Sequence, residues 1–329
     1  MGTSPSLPTT MRALVIDRTG DADELHLADV PAPVAVMDEL LVRVVAAGVN
    51  PIDAKTRAGG GASGVIPSYP AILGADFSGV VVQSPYETFP LQPGDEVYGM
   101  ARVPRIPGTY AEYVPVTSLS VARKPSTLSH TEAAAVPLAA LTAWGMVVTA
   151  AEAGPGHRML IHAGSGGVGH FAIQFARAAG AHVVATGSTR NLDFLRELGA
   201  DEVVDYAQER FEDVVSPVDT VIDLIGNVHD NTGTRSLSVL RPGGLLVNAP
   251  TGSWPTLLED AAAAGVRATR HRVAPDARTL DEITLLIEAG TVRVHIDRVF
   301  DLADGAEAHR ELENGHTRGK IVLRVAADA

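Results

Sequence analysis

The sequence predicts an α/β protein with two cores, a β-rich part followed by a doubly wound parallel sheet. Three observations carry that reading: a length of 329 residues, a change of texture near Pro125, and a glycine-rich turn between two short apolar runs. A chain this long exceeds what one hydrophobic core normally organises, so two domains are expected.

From Met11 to about Lys124 the pattern is mostly β. Residues 12–16, 39–46, 79–83, 96–99 and 110–116 read as strands, with Pro93-Gly94-Asp95 and Pro107-Gly108 as turns between them. Beyond Pro125 helical and strand patterns alternate, which implies a parallel sheet covered on both faces. Residues 131–150 read as a helix interrupted at Pro137, and strands are expected at 202–205, 220–224, 245–248 and 267–273. The chain then closes with a helix (280–289), a strand (298–300), a helix (303–314) and a strand (320–325).

The organising stretch runs from Met159 to Tyr206. An apolar strand (159–162) leads into Gly164, Gly166 and Gly169 in G-x-G-x-x-G spacing, then a helix (168–179) and a second strand (181–186). Strand, turn, helix and strand within about 30 residues is the setting in which this spacing means dinucleotide binding. Gly164 is expected to make the tight turn, Gly166 to let a pyrophosphate approach the backbone, and Gly169 to let the helix pack closely. The helix N-terminus then faces the phosphates with unpaired N–H groups and the positive end of its dipole.

The second strand chooses between cofactors. An Asp or Glu about 20 residues after the glycines holds the ribose of NAD. Here Gly187, Ser188, Thr189 and Arg190 fill that region, and no carboxylate precedes Asp193. A hydroxyl and a guanidinium suit a 2′-phosphate, so NADPH is the expected cofactor.

Composition removes other classes. The 26 basic and 39 acidic residues leave a net charge of −13, against a nucleic-acid or anionic-membrane partner. No cysteine is present, so disulfides, thiolate catalysis and Cys-ligated zinc are absent. No apolar run approaches the roughly 18 residues of a membrane span. Residues 1–10 lack the basic and apolar regions of a signal peptide and read as a disordered leader, with Met11 as functional start and a cytoplasmic location.

Several segments in order resemble the zinc-independent quinone oxidoreductases of the medium-chain dehydrogenase/reductase superfamily. They are AAGVNPIDAKTRAG (Ala46–Gly59), GADFSGVV (Gly74–Val81), PGDEVYG (Pro93–Gly99), GTYAEY (Gly108–Tyr113), PLAALTAW (Pro137–Trp144), AGSGGVG (Ala163–Gly169) and HTRGKIVL (His316–Leu323). The resemblance implies a GroES-like catalytic domain at residues 11–124 and 292–329, a Rossmann NADPH domain at 125–291, and an active site between them. It also implies a homodimer. Zinc-dependent relatives carry Cys where this chain has Asn50, and His-Glu where it has Ala75-Asp76. A methyl and an amide cannot replace those ligands, so no metal is expected. Without a Lewis acid, reduction of a quinone or enone is easier than oxidation of an alcohol.

The same resemblance implies site residues. Asn50 is the cleft asparagine, donating to a substrate oxygen or holding the nicotinamide; as a turn residue before Pro51 it has a plainer reading. Asp53 orients that loop or pairs with Lys55 or Arg57, and Thr142 contacts the nicotinamide ribose or simply fills the core. Ser165, Gly166, Gly167 and Val168 meet the pyrophosphate, Ser188 and Arg190 the 2′-phosphate, Tyr206 the adenosine end. His316 and Arg318 close over the cofactor, and Asn248-Ala249-Pro250 lies where a carboxamide would sit. Tyr69 and Tyr110 are candidate proton donors, with water as the alternative. Two other readings stay open: a zinc-independent carbonyl or alcohol dehydrogenase, and a non-catalytic NADPH- or RNA-binding protein.

Overall fold

A computed structural model describes residues 8–102 and 108–327. Residues 1–7 of the expected leader, and Pro107 of one expected turn, lie outside the described residues. The first strands are β1 (Thr10–Ile16), β2 (His26–Pro31), β3 (Glu39–Val49), β4 (Ala71–Ile72), β5 (Asp76–Gln83), β6 (Glu96–Met100), β7 (Tyr113–Thr117) and β8 (Val121–Arg123). Then come β9 (Arg158–Ile161), β10 (His182–Gly187), β11 (Glu202–Asp205), β12 (Val218–Asp223), β13 (Leu240–Asn248) and β14 (Arg267–Arg270). Last are β15 (Ile296–Asp301) and β16 (Lys320–Arg324). The helices that matter below are α1 (Pro51–Arg57), α2 (Pro137–Trp144), α3 (Gly169–Ala178), α4 (Ala277–Glu288) and α5 (Gly305–Glu313).

Strands β9 to β14 form a parallel sheet in the order β11-β10-β9-β12-β13-β14. The order reverses between β9 and β12, and the crevice outside their carboxyl ends is where such sheets bind ligands. The other strands make a sheet β15-β16-β3-β5-β6-β8, with β7 also on β3, and a smaller sheet β2-β1-β4. Strand β16 pairs antiparallel with β3, Ile321 opposite Val49, so the chain's last strand returns beside the one that delivers Asn50. This strand membership supports the division at residues 124/125 and 291/292, which we put forward as domain limits.

Each sheet has an apolar cluster of its own, and a third cluster joins the two. Ala75, Tyr98 and Met100 pack in one apolar cluster with Phe171 and Phe175 of α3 and Leu280 and Ile283 of α4. The buried Tyr98 hydroxyl donates to the Leu280 carbonyl at 2.9 Å and meets Thr284 Oγ1 at 2.8 Å. The helix expected over 131–150 is broken into His130–Ala134, Pro137–Trp144 and a wider coil at Gly145–Ala150. Pro137 starts α2 because it has no N–H to give to the turn before it. The strand expected from residue 110 begins at Tyr113. Among the described residues no helix is long and apolar enough to cross a membrane.

Candidate active site

The glycine-rich turn leaves β9 with Ala163 in the left-handed region, φ 50°. The tight turn expected at Gly164 is therefore made by Ala163, at a cost of roughly 1–2 kcal/mol. Gly164 is required instead by crowding: a Cβ there would lie 2.9 Å from Leu195 Cδ2 and 3.0 Å from Ile173 Cδ1. At Gly169 a Cβ would run into the Ala163 carbonyl oxygen and the Gly164 backbone, so this glycine lets α3 approach β9. Gly166 differs, since a Cβ there would meet only the Ala163 oxygen at 3.3 Å. Its open side, beside the first turn of α3, fits a pyrophosphate.

Three predicted residues converge on one they did not include. Asn191, buried at 5% exposure, donates through Nδ2 to Ser165 Oγ at 3.0 Å and Ser188 Oγ at 3.1 Å. Its Oδ1 accepts from Arg318 Nε at 2.9 Å, and Arg318 stacks over Phe194 at 5.2 Å. Arg190 donates to the His316 carbonyl at 2.7 Å, and Arg318 to the Arg190 carbonyl at 3.2 Å. Arg190, Asn191, His316 and Arg318 line a cavity of about 340 Å³ that also takes in His295, Arg298, Asp297 and Glu311. Tyr206, 59% exposed, follows β11 and donates its N–H to the Gly187 carbonyl at 3.2 Å. Asp205 beside it is a carboxylate that the sequence reading passed over; it accepts from Thr189 Oγ1 and the Ala207 N–H.

The loop 316–319 closes the turn from above. The Gly319 N–H donates to the Ser165 carbonyl at 2.8 Å, and Gly319 has φ 73°. Lys320 follows, 3% exposed, its stem against Gly167, where an added Cβ would lie 3.1 Å from Lys320 Cδ. Its ammonium donates to the Val49 carbonyl at 2.9 Å and to Asn50 Oδ1, and lies 3.8 Å from Asp76 Oδ2. Asn50 Nδ2 donates to Asp76 Oδ2 at 2.9 Å, while Asp76 Oδ1 accepts the Leu138 N–H of α2 at 2.8 Å. An ammonium only donates and a carboxylate only accepts, so the Asn50 amide has one orientation.

Behind Asn50, α1 starts with Asn50 extended, Pro51 in its first turn, and Asp53 accepting the Asn50 N–H at 2.9 Å. Tyr110 donates to Asp53 Oδ2 at 3.1 Å and lies 3.3 Å from His309 Nε2. Burial, then the neighbouring Asp76, pushes the Asp53 carboxyl up to about 7. Burial likewise raises Asp76 to about 6, against the pull of Lys320. Burial lowers the Lys320 ammonium, against Asp76 and Asp53. Two buried carboxyls and one buried ammonium thus act on one another beside Asn50.

Other expected residues stand elsewhere. Tyr110 is fully buried with its hydroxyl committed to Asp53, which corrects its expected place facing a substrate. Tyr69 is 42% exposed ahead of β4. Thr142 is buried and donates back to the Leu138 carbonyl at 2.7 Å, the core arrangement. Of the two cations offered to Asp53, Arg57 is buried and pairs instead with Glu313 of α5, and Lys55 is exposed. Asn248 donates to Asp223 Oδ2 at 2.8 Å, joining the carboxyl ends of β12 and β13.

Residues 37–126 match the family described as "Alcohol dehydrogenase GroES-like domain", and residues 198–323 that described as "Zinc-binding dehydrogenase". The mouse "NAD(P)H oxidoreductase RTN4IP1, mitochondrial" is 34% identical, covering 99% of this chain and 92% of its own length. The solved structure of the quinone oxidoreductase from Coxiella burnetii is 38% identical, covers 96% of this chain and 99% of its own, and superposes with a TM-score of 0.90. The chain belongs to the zinc-independent quinone oxidoreductases of the medium-chain dehydrogenase/reductases. Another relative, the Arabidopsis thaliana "NADPH-dependent alkenal/one oxidoreductase, chloroplastic", is 34% identical over 97% of this chain and 80% of its own length.

Within this quinone oxidoreductase the positions of the zinc branch's ligands hold Asn50, Ala75 and Asp76, with an ammonium against two of them. An amide, a methyl and a lysine-paired carboxylate do not make the donor set of a catalytic zinc, so no step is derived through one. Lys320 was visible only as the polar residue opening an apolar strand, KIVL, and Asn191 only as a residue before a helix.

Proposed function

We propose that the protein reduces quinones or α,β-unsaturated carbonyls with NADPH, polarising the acceptor through hydrogen bonds rather than a metal ion. The observation that carries this is the Asn50 amide clamped between the Lys320 ammonium and the Asp76 carboxylate. The names of the mouse and Arabidopsis relatives and of the Coxiella structure support it.

Bound NADPH supplies a hydride. The open face of Gly166 and the start of α3 receive its pyrophosphate, and Arg190, Arg318 and Ser188 receive the 2′-phosphate. Asn50 keeps a second Nδ2 hydrogen that no described residue accepts, and it serves the oxygen on which charge develops. Asp53 holds Asn50 through its backbone N–H, and Tyr110 holds Asp53, so both act behind the reacting atoms. Tyr69, exposed, or water gives the final proton. A homodimer in a reducing compartment such as the cytoplasm completes the reading; light scattering and fractionation read both.

The test is NADPH oxidation with an ortho-quinone, an enone and a simple ketone. Turnover of the first two supports the proposal. Turnover of the ketone alone favours a carbonyl dehydrogenase, and binding without turnover a non-catalytic role.

A further inference from the structure

The Asn191 side chain has three polar neighbours, and the direction of every bond follows from one of them. Arg318 Nε can only donate, so the amide oxygen must face it. Both Nδ2 hydrogens are then spent on the oxygens of Ser165 and Ser188. Each serine accepts from Asn191, and among the described residues neither hydroxyl donates to a protein acceptor. Two O–H donors and two guanidinium groups thus remain, and none of the four is consumed inside the protein by a carboxylate. Such an array of donors suits an anion.

We infer that Asn191 is a specificity-determining positioning residue, which aims Ser165, Ser188 and Arg318 as donors toward a cofactor carrying a 2′-phosphate. The inference rests on the NADPH reading and deepens it. Asn191 itself touches no phosphate; it acts by donating to each hydroxyl, which leaves the hydroxyl proton free to point away from it. Ser165 lies on the glycine-rich turn, common to both cofactors, whereas Ser188 and Arg318 lie at the end of β10, where the cofactors differ. Disturbing Asn191 should therefore change the preference between them, beyond overall affinity.

Asn191→Asp is the informative change, because it keeps the shape and reverses the hydrogen bonds. A carboxylate accepts from both serine hydroxyls, turning their protons inward, and places a negative charge beside the phosphate. The probes are 2′,5′-ADP and 5′-ADP, titrated calorimetrically into the whole protein, with NADPH and NADH followed by fluorescence. Wild type should prefer 2′,5′-ADP, and Asn191→Asp should reduce that preference at least tenfold. Asn191→Ala, which frees the hydroxyls without reversing them, should reduce it less and in the same direction. A purely structural role would lower the thermal midpoint and weaken both probes together, leaving the ratio as in wild type; that result overturns the inference. Should the Asp variant not fold, the ratio in Asn191→Ala decides, an unchanged ratio again overturning it. A wild type with no preference for 2′,5′-ADP refutes the cofactor reading itself, a different outcome.

Discussion

Arg190 and Arg318 form no ion pair among the described residues, although the chain carries far more acid than base. The two guanidinium groups meet on one cavity, which Asp297 and Glu311 also line, and the proposal assigns them to the 2′-phosphate. Arg190→Ala should weaken NADPH by about 1.5–3 kcal/mol, the worth of a hydrogen bond to a charged group, and leave NADH nearly unchanged. Equal losses in a fluorescence titration would refute that assignment. Asp53 offers a second test at this scale. Its carboxyl releases a proton near 3.8 when unfolded, and burial moves this to about 7 in the fold. Between those values the folded state keeps a proton that the unfolded chain has lost, so Asp53 costs stability as pH rises through the window. His162, His170 and His309, pushed down by burial to about 4, 3 and 3, add the opposite slope below their ordinary 6.5. A difference measurement separates them: the thermal midpoint of Asp53→Asn should gain on wild type from about pH 5 to about pH 8. A gap independent of pH contradicts the shift. At this scale the residues themselves pointed to Ser188 and Arg190, a hydroxyl and a guanidinium after the second strand, while Ser165 and Arg318 came only with the family resemblance. Asn191 and Lys320 were not legible, since their roles exist only where segments distant in the chain meet.

The glycine-rich turn separates two uses of the same residue type. Gly166→Val should fold and lose NADPH, because the space beside Gly166 is closed by nothing except the Ala163 oxygen. Gly169→Ala should instead cost about 1–3 kcal/mol of stability by overpacking the Ala163 and Gly164 backbone. Thermal midpoints and cofactor titrations on the pair check both, and the reverse assignment of losses would contradict the geometry. The strands of the parallel sheet were legible as short apolar runs bounded by turns, and 202–205 coincides with β11. The interruption at Pro137 was legible too, but the wider coil at Gly145–Ala150 was not, because the apolar pattern runs on past Trp144. The loss of Gly164 as the turn residue has a similar cause: spacing locates a turn, and only packing says which residue carries the positive φ.

At the scale of the molecule, the two sheets share an apolar cluster, and Tyr98 is bonded across it to α4. Tyr98→Phe should cost about 0.5–1.5 kcal/mol and leave a single calorimetric transition; two resolved transitions would contradict a shared core. That sharing was hidden in the sequence, where residues 98 and 280 are far apart. Lys320 of one sheet lies against the glycine-rich turn of the other and holds the Asn50 amide in one orientation. The central claim is that these hydrogen bonds do what a metal does in the zinc branch. Its most direct test is the rate of NADPH-dependent enone reduction before and after exhaustive chelation, with zinc quantified in the same samples. Unchanged turnover with zinc well below one ion per chain is expected; turnover lost on chelation and restored by added zinc would contradict it.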